Sequence, residues 1–382
     1  MIKSADVVII GGGISGCSIA YNLAKKGVKS IVVLEKKYLA SGSTGRCGAG
    51  VRQQWGTEMN CKLAMESIRF FETANEELEY DGDIEFKQGG YLIVASTKKE
   101  DEQFQKNVEL QKKLGMEVEY MAPQDATQIV PYLNTEKLTS ATFCPKDGHL
   151  NPFLTTDAYA KAARKLGVHI YTYTEVVGIK TQNGKITAVM TNKGEIATRI
   201  VVNAAGGYSK VIGEMVNVDI PVFSERHQIL VTEPVEPMQG PMVMSFSLNI
   251  YCQQSPHGSF IMGRGDENEP RDLRITSSWH FLDEMAKSIT DLLPPIGKLR
   301  VIRQWAGLYN ITPDRQPILG AVSDLDGFYL AVGFSGHGFM FGPMTGLLLS
   351  EQILGEKPTI DISKLSIDRF EKHELVFEPS VV

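Results

Sequence analysis

A chain of 382 residues, 43% hydrophobic and 22% charged, is long enough for two domains and has the composition of an ordinary globular protein. Its 39 basic and 45 acidic residues leave a net charge of −6 with no basic block, which argues against nucleic acid as a main partner. The first apolar run stops at Gly11 and no run approaches the ~18 apolar residues of a membrane span, so neither a secretory leader nor a transmembrane helix is expected.

The stretch "ADVVIIGGGISGCSIAYNLAKKGVKSIVVLEK" reads as strand, glycine turn, helix and second strand. Residues 6–10 are a continuous apolar strand. Gly11, Gly13 and Gly16 form G-x-G-x-x-G, and Ile19, Ala20, Leu23 and Ala24 follow at helical spacing until Gly27. The first glycine makes the turn, the second admits a pyrophosphate, and the third lets helix and strand pack closely. The helix start, with Ile14 and Ser15, offers free N–H groups to phosphate. Glu35 ends the second strand, followed by Lys36, and can accept both ribose hydroxyls of an adenosine. This unit alone leaves NAD and FAD open.

The next segment, "LASGSTGRCGAGVRQQWG", is too small and polar for a core helix; Ser41, Ser43 and Thr44 suit a pyrophosphate and a ribityl chain. "KKEDEQFQKNVELQKKLG" is a charged surface helix, and "GGYLIVAS", "RHQILVTEP" and "SFIMGRG" read as strands. "GVHIYTYTEVVGIK" is expected as one strand whose Val176 meets an adenine. A third nucleotide-side strand ends in Ala204, Ala205 and Gly206, small enough to lie against the pyrophosphate.

"LAVGFSGHGFMFGPMTGLLLSEQIL" (330–354) reads as a strand, a glycine break at Gly333, Gly336 and Gly338, and an apolar helix. A fold that binds only NAD does not need this second glycine-rich helix start. A flavin has a second electron-poor end, and N–H groups from 336–340 (His337, Phe339 and Met340 among them) stabilise negative charge on a reduced ring. FAD is therefore favoured. No second G-x-G-x-x-G follows a strand, so a built-in pyridine nucleotide site is not expected, and electrons reach FAD directly from substrate. Five scattered cysteines without C-x-x-C indicate no zinc or redox dithiol and suit a reducing cytoplasm. No metal site is expected.

The motifs "VVIIGGGISG", "SGSTGRCGAGVRQQWG", "VVNAAGGYS", "WAGLYNITPDRQPILG" and "GFSGHGFMFGP" together resemble the glycine oxidase, sarcosine oxidase and D-amino-acid oxidase family of flavoproteins over nearly the whole chain. Within it, the resemblance is nearest to the β subunits of heteromeric sarcosine oxidase and L-proline dehydrogenase complexes. It implies an α/β (α+β overall) fold, with a Rossmann-like FAD-binding domain (1–85, 148–217 and 320–382) interleaved with an antiparallel-sheet substrate domain (86–147 and 218–319).

It also implies site residues. Arg46, Cys47, Ala49 and Gly50 pass beside the flavin. Arg52 is the leading anchor for a substrate carboxylate, since its fork of N–H donors matches two carboxylate oxygens. Arg303 is the second candidate, with a structural ion pair as its alternative. Tyr309 and Tyr251 either flank the substrate or are half-buried structural tyrosines, and His227 is either near the flavin or a core residue. Met340 stands where sarcosine oxidases carry a Lys. Gly307 stands where monomeric oxidases attach FAD to a Cys, so the FAD is expected to be noncovalent. Asn151-Pro152, with His149 nearby, stands where heteromeric enzymes attach FMN to a His; a noncovalent FMN at a subunit interface stays open. The implied reaction is oxidation of the amine of a small amino or imino acid, in a dehydrogenase complex with a larger α-type subunit. A stand-alone oxidase and a flavin-binding relay subunit are the alternatives.

Overall fold

The structure, a computed structural model, describes residues 1–266 and 268–379. Its nucleotide half is a six-stranded sheet in the order Ile318–Ala321, Phe328–Val332, Ile200–Asn203, Val7–Ile10, Ile31–Leu34 and His169–Tyr171. All neighbours are parallel except the first pair. Val7–Ile10 and Ile31–Leu34 are buried at every position, as a parallel strand covered on both faces must be. Alternate residues serve opposite cores. Val7, Ile9, Ile31 and Val33 pack with Ile19 and Leu23 of the helix Ile14–Lys25 and with Leu348 of the helix Gly342–Ile353. Val8, Ile10, Val32 and Leu34 pack with Ile179, Val189 and Ile196 of a three-stranded antiparallel sheet. The third fingerprint glycine permits this closeness, since a Cβ on Gly16 would lie 2.0 Å from the Gly11 carbonyl oxygen.

The other half is an eight-stranded sheet in the order Val301–Ile311, Phe223–Pro234, Ser259–Arg264, Ile250–Gln254, Met242–Ser245, Tyr91–Ala95, Ser140–Cys144 and Glu119–Met121. Only Met242–Ser245 and Tyr91–Ala95 run parallel. One face is covered by the helix Trp279–Leu292, whose Phe281, Met285 and Ile289 join Leu230, Phe260 and Met262 in a core. The charged helix Lys98–Lys113 opens with a Thr97–Glu100 capping box and buries Phe104 and Val108.

Two elements depart from expectation. The stretch 167–180 is not one strand: His169–Tyr171 joins the six-stranded sheet and Val176–Gln182 the three-stranded one. Tyr173 breaks it with a left-handed φ of 50°. The C-terminal helix starts at Gly342, beyond the glycine cluster, because Ser335 (φ 50°) and Gly336 (φ 97°) are left-handed and no helix passes through them.

After that helix the chain returns across the molecule. Arg369 is held by a buried bidentate pair with Asp314 at 2.8 and 2.9 Å. The tail then reaches the start of the helix Glu58–Glu77, where Glu378 is buried. No helix among the described residues is long and apolar enough to cross a membrane.

Candidate active site

One cavity runs between the sheets, from the start of the helix Ile14–Lys25 to the turn 336–340. At the first end, Gly13 caps the helix without a side chain and its first turn carries no acid. Thr44 Oγ1 accepts the Ile14 N–H at 3.2 Å. Gly11, Gly13, Ile14 and Ser15 line the cavity. Glu35 Oε2 accepts the Gly12 N–H at 2.9 Å, while Oε1 accepts from the Lys37 N–H at 2.8 Å and from Ser41 Oγ at 3.2 Å. Lys36 lines the wall with its Nζ 3.1 Å from the centroid of the Tyr208 ring. Val176, Ala204, Ala205 and Gly206 complete this end.

The middle is stitched by the segment 41–50. Ser43 Oγ donates to the Leu308 carbonyl at 2.6 Å. Arg46 donates from Nε to Ser41 O (3.2 Å) and from Nη1 to Ala306 O (2.9 Å), and its own carbonyl accepts the Trp305 indole N–H at 3.0 Å. Ser43, Thr44, Arg46, Cys47, Ala49 and Gly50 all face the cavity, as does Gly307, where a Cβ would sit 3.1 Å from the Arg46 Cβ.

At the far end, the Tyr309, His227 and Tyr251 rings are stacked. The His227 ring lies 4.3 Å from Tyr309 (5° between planes) and 5.8 Å from Tyr251 (13°). Strand register explains this: His227 pairs with Gly307, two residues from Tyr309 along the neighbouring strand. Burial pushes His227 down to about 4, so the imidazole is neutral near pH 7. His337 is also pushed well down, by burial first and then by Arg52 and Arg315. The His337 N–H is taken by Phe334 O, whereas the amides of Gly338, Phe339 and Met340 meet no protein acceptor among the described residues. Phe341 caps the following helix without a side-chain bond, and no acid stands in its first turn.

Arg52 is the charged group at this end with donors to spare. It is 2% exposed; Nη1 reaches only Met244 Sδ at 3.4 Å, and buried Nε and Nη2 have no partner. Its guanidinium lies over the Trp55 ring at 4.2 Å, and Trp55 meets the His337 ring edge-on at 4.6 Å. Unpaired buried donors on a cation are costly, so the geometry calls for an anion.

A family model described as DAO, FAD dependent oxidoreductase, matches residues 6–352. The chain belongs to this family. The sarcosine oxidase subunit beta of Arthrobacter sp is 30% identical, over 98% of this chain and 93% of that protein. The crystal structure of L-proline dehydrogenase from P. horikoshii superposes with a TM-score of 0.93 at 37% identity, over 98% of this chain and 100% of that one. Glycine oxidase from Geobacillus kaustophilus, at 24% identity, shares the fold with a TM-score of 0.88 over 96% of this chain and 99% of that one.

The residues suit the cofactor of the DAO family. The start of the helix Ile14–Lys25 and the turn 336–340 line the two ends of one cavity, and Gly11 is packed so closely that a Cβ there would lie 2.3 Å from the Ala204 carbonyl oxygen. Three expected residues stand off the cavity. Gly16 serves helix packing. Gly333 shapes the turn, its N–H donating to Asn310 Oδ1 at 2.7 Å. Arg303 is a correction: it is exposed, over the Trp305 ring at 5.6 Å. It shares a strand face with Trp305 but lies about 7 Å further toward the strand end, beyond the cavity. Sequence reasoning missed Trp55, under the Arg52 guanidinium, and Tyr91, which lines the cavity; both lie in quoted motifs without a distinguishing signal.

Proposed function

We propose that this flavoprotein oxidises the amine of a small amino or imino acid of the sarcosine, proline or glycine kind, with the substrate carboxylate on Arg52. The observation that carries this reading is the buried Arg52 guanidinium, two of whose nitrogens lack a protein partner, at the ring end of a cavity suited to FAD. FAD, when bound noncovalently, supplies the two-electron acceptor. Arg52 fixes the carboxylate. The stack of Tyr309, His227 and Tyr251 forms a wall and keeps water out. Burial lowers the basicity of His227 and His337, so both stay neutral near pH 7 and neither is suited to take the proton of the amine. The substrate amine must arrive unprotonated, so that its lone pair forms the C=N bond as the Cα–H bond breaks. Catalysis then rests on orientation and a dry, preorganised site. The product imine is released or hydrolysed.

The resemblance to subunits of multi-subunit enzymes supports a larger α-type subunit as electron acceptor, in the cytoplasm, with a noncovalent FMN at the subunit interface as one form of exit. The test is anaerobic mixing of the yellow protein with proline, sarcosine, glycine and hydroxyproline. Bleaching of the flavin by at least one is expected; none bleaching it would leave a relay subunit in place of an enzyme.

A further inference from the structure

The segment that carries Arg52 is held at both ends by buried carboxylates from distant parts of the chain. Asp147, in the turn after the strand Ser140–Cys144, accepts the Gln53 N–H at 2.6 Å and Gln54 Nε2 at 2.9 Å. The Gln54 amide also donates to Tyr91 O at 3.1 Å and accepts from Thr142 Oγ1 at 2.7 Å, so the side chain has one orientation. From the C-terminal tail, Glu378 accepts the Gly56 N–H at 2.6 Å, Thr57 Oγ1 at 3.0 Å and Asn60 Nδ2 at 2.7 Å. That carboxylate sits at the start of the helix Glu58–Glu77, where the helix dipole favours it. Between the two latches, Trp55 O accepts Gln111 Nε2 at 2.8 Å and the Trp55 indole N–H donates back to Arg52 O at 3.2 Å. The ring so fixed is the one against which the Arg52 guanidinium packs.

We propose that Asp147 and Glu378 are positioning residues for Arg52: together they lock residues 53–60 in the shape that turns its guanidinium to the cavity. The proposal rests on the reading of Arg52 as the carboxylate anchor. A carboxylate paired directly with Arg52 would compete with the substrate for its donors. Here the two carboxylates direct their hydrogen bonds to neighbouring groups instead, and Arg52 Nε and Nη2 stay open. Burial lowers the Arg52 pKa, and Tyr91, Glu378 and Asp147 oppose that shift through space.

The test uses FAD-loaded protein and two probes without an oxidisable amine, cyclopentanecarboxylate and its neutral analogue cyclopentanecarboxamide, titrated by flavin difference spectra. Arg52→Ala, Glu378→Gln and Asp147→Asn are compared with the parent. The proposal expects each variant to keep FAD, to bind the acid about tenfold more weakly or worse, and to bind the amide within about threefold of the parent. Unchanged acid affinity in Glu378→Gln and Asp147→Asn overturns it, as does an equal loss for acid and amide, which marks general loosening. If one variant alone behaves as expected, the role belongs to that residue and is withdrawn for the other. If Asp147→Asn loses FAD, Glu378→Gln decides; if both lose it, the carboxylates are structural and the proposal fails. Unchanged acid affinity in Arg52→Ala overturns the anchor itself, a separate failure.

Discussion

The Arg52 guanidinium lies 4.2 Å from the Trp55 ring, and that ring meets the His337 ring at 4.6 Å. Two side chains three residues apart thereby join the segment after Gly50 to the turn before the C-terminal helix. The guanidinium is held by packing while the Arg52 carbonyl accepts the Trp55 indole N–H, and the cation has no ion-pair partner among the described residues. An anchor of this kind is charged, oriented and open when the ligand arrives.

Arg52→Ala should therefore weaken amino-acid substrates strongly while FAD stays bound, because Arg52 stands at the opposite end of the cavity from the Gly11–Gly16 turn. The loss of a charge-assisted pair in a dry site is on the order of 2–5 kcal/mol. Anaerobic flavin-bleaching titrations measure it. Affinity within about twofold of the parent would show that the carboxylate is held elsewhere.

The nucleotide end was legible because each requirement sits close in sequence: strand, glycines, helix and Glu35 within about thirty residues, all read from period and turn chemistry. The far end was legible only in part. Arg52, Tyr309, Tyr251 and His227 were named separately, yet their assembly depends on the pairing of His227 with Gly307 and of Tyr251 with Gly263, long-range register that no local pattern encodes. Arg303 failed for the same reason: a residue's distance along a strand decides whether it reaches the cavity. Asp147 and Glu378 were invisible, since a carboxylate whose partners are 94 and 322 residues away looks like any surface acid.

A second prediction concerns attachment of the cofactor. Gly307 offers no thiol, and a side chain there would meet Arg46. Cys47 lines the cavity, but its thiol donates to Thr44 O at 3.0 Å and burial pushes its pKa up to about 12, so it is not the thiolate that covalent attachment needs. Acid precipitation should leave the yellow colour in the supernatant; colour in the pellet would show a covalent bond.

A third concerns pH and has opposite signs at two residues. Burial, with Lys87, takes His149 from 6.5 to about 4. The unfolded chain binds its proton first, so stability present above pH 6.5 is lost as pH falls toward 4. Burial raises Asp147 from 3.8 to about 7, against the hydrogen bonds from Gln54 and Gln53 and the charge of Arg52, with Cys144 and Tyr91 also facing it. Its folded form holds the proton longer, so its contribution falls as pH rises from about 4 to 7. His149→Gln should then lose less stability than the parent on acidification from pH 7 to pH 4, and Asp147→Asn more. Melting temperatures across that range decide, and changes in slope relative to the parent that share one sign in both variants would contradict the assignment.

The last concerns oxygen. A fixed ammonium beside a reduced flavin favours oxygen chemistry because it stabilises the negative charge that develops on O₂. The lysines lining this cavity are Lys36 and Lys37, both at the nucleotide end, and Lys36 is occupied over Tyr208. At the ring end the position before Phe341 is Met340, and both nearby histidines are held neutral. The cations there are Arg46 and Arg52. Arg46 is engaged by two carbonyls, and on the proposed reading the carboxylate of substrate or product covers Arg52. Reduced protein should therefore react slowly with oxygen and pass electrons to a dye or protein acceptor instead. Flavin reduced anaerobically by substrate and then mixed with oxygenated buffer should reoxidise no faster than free reduced flavin. A rate well above that would identify an oxidase and point to Arg46 or Arg52 as the cation that serves oxygen.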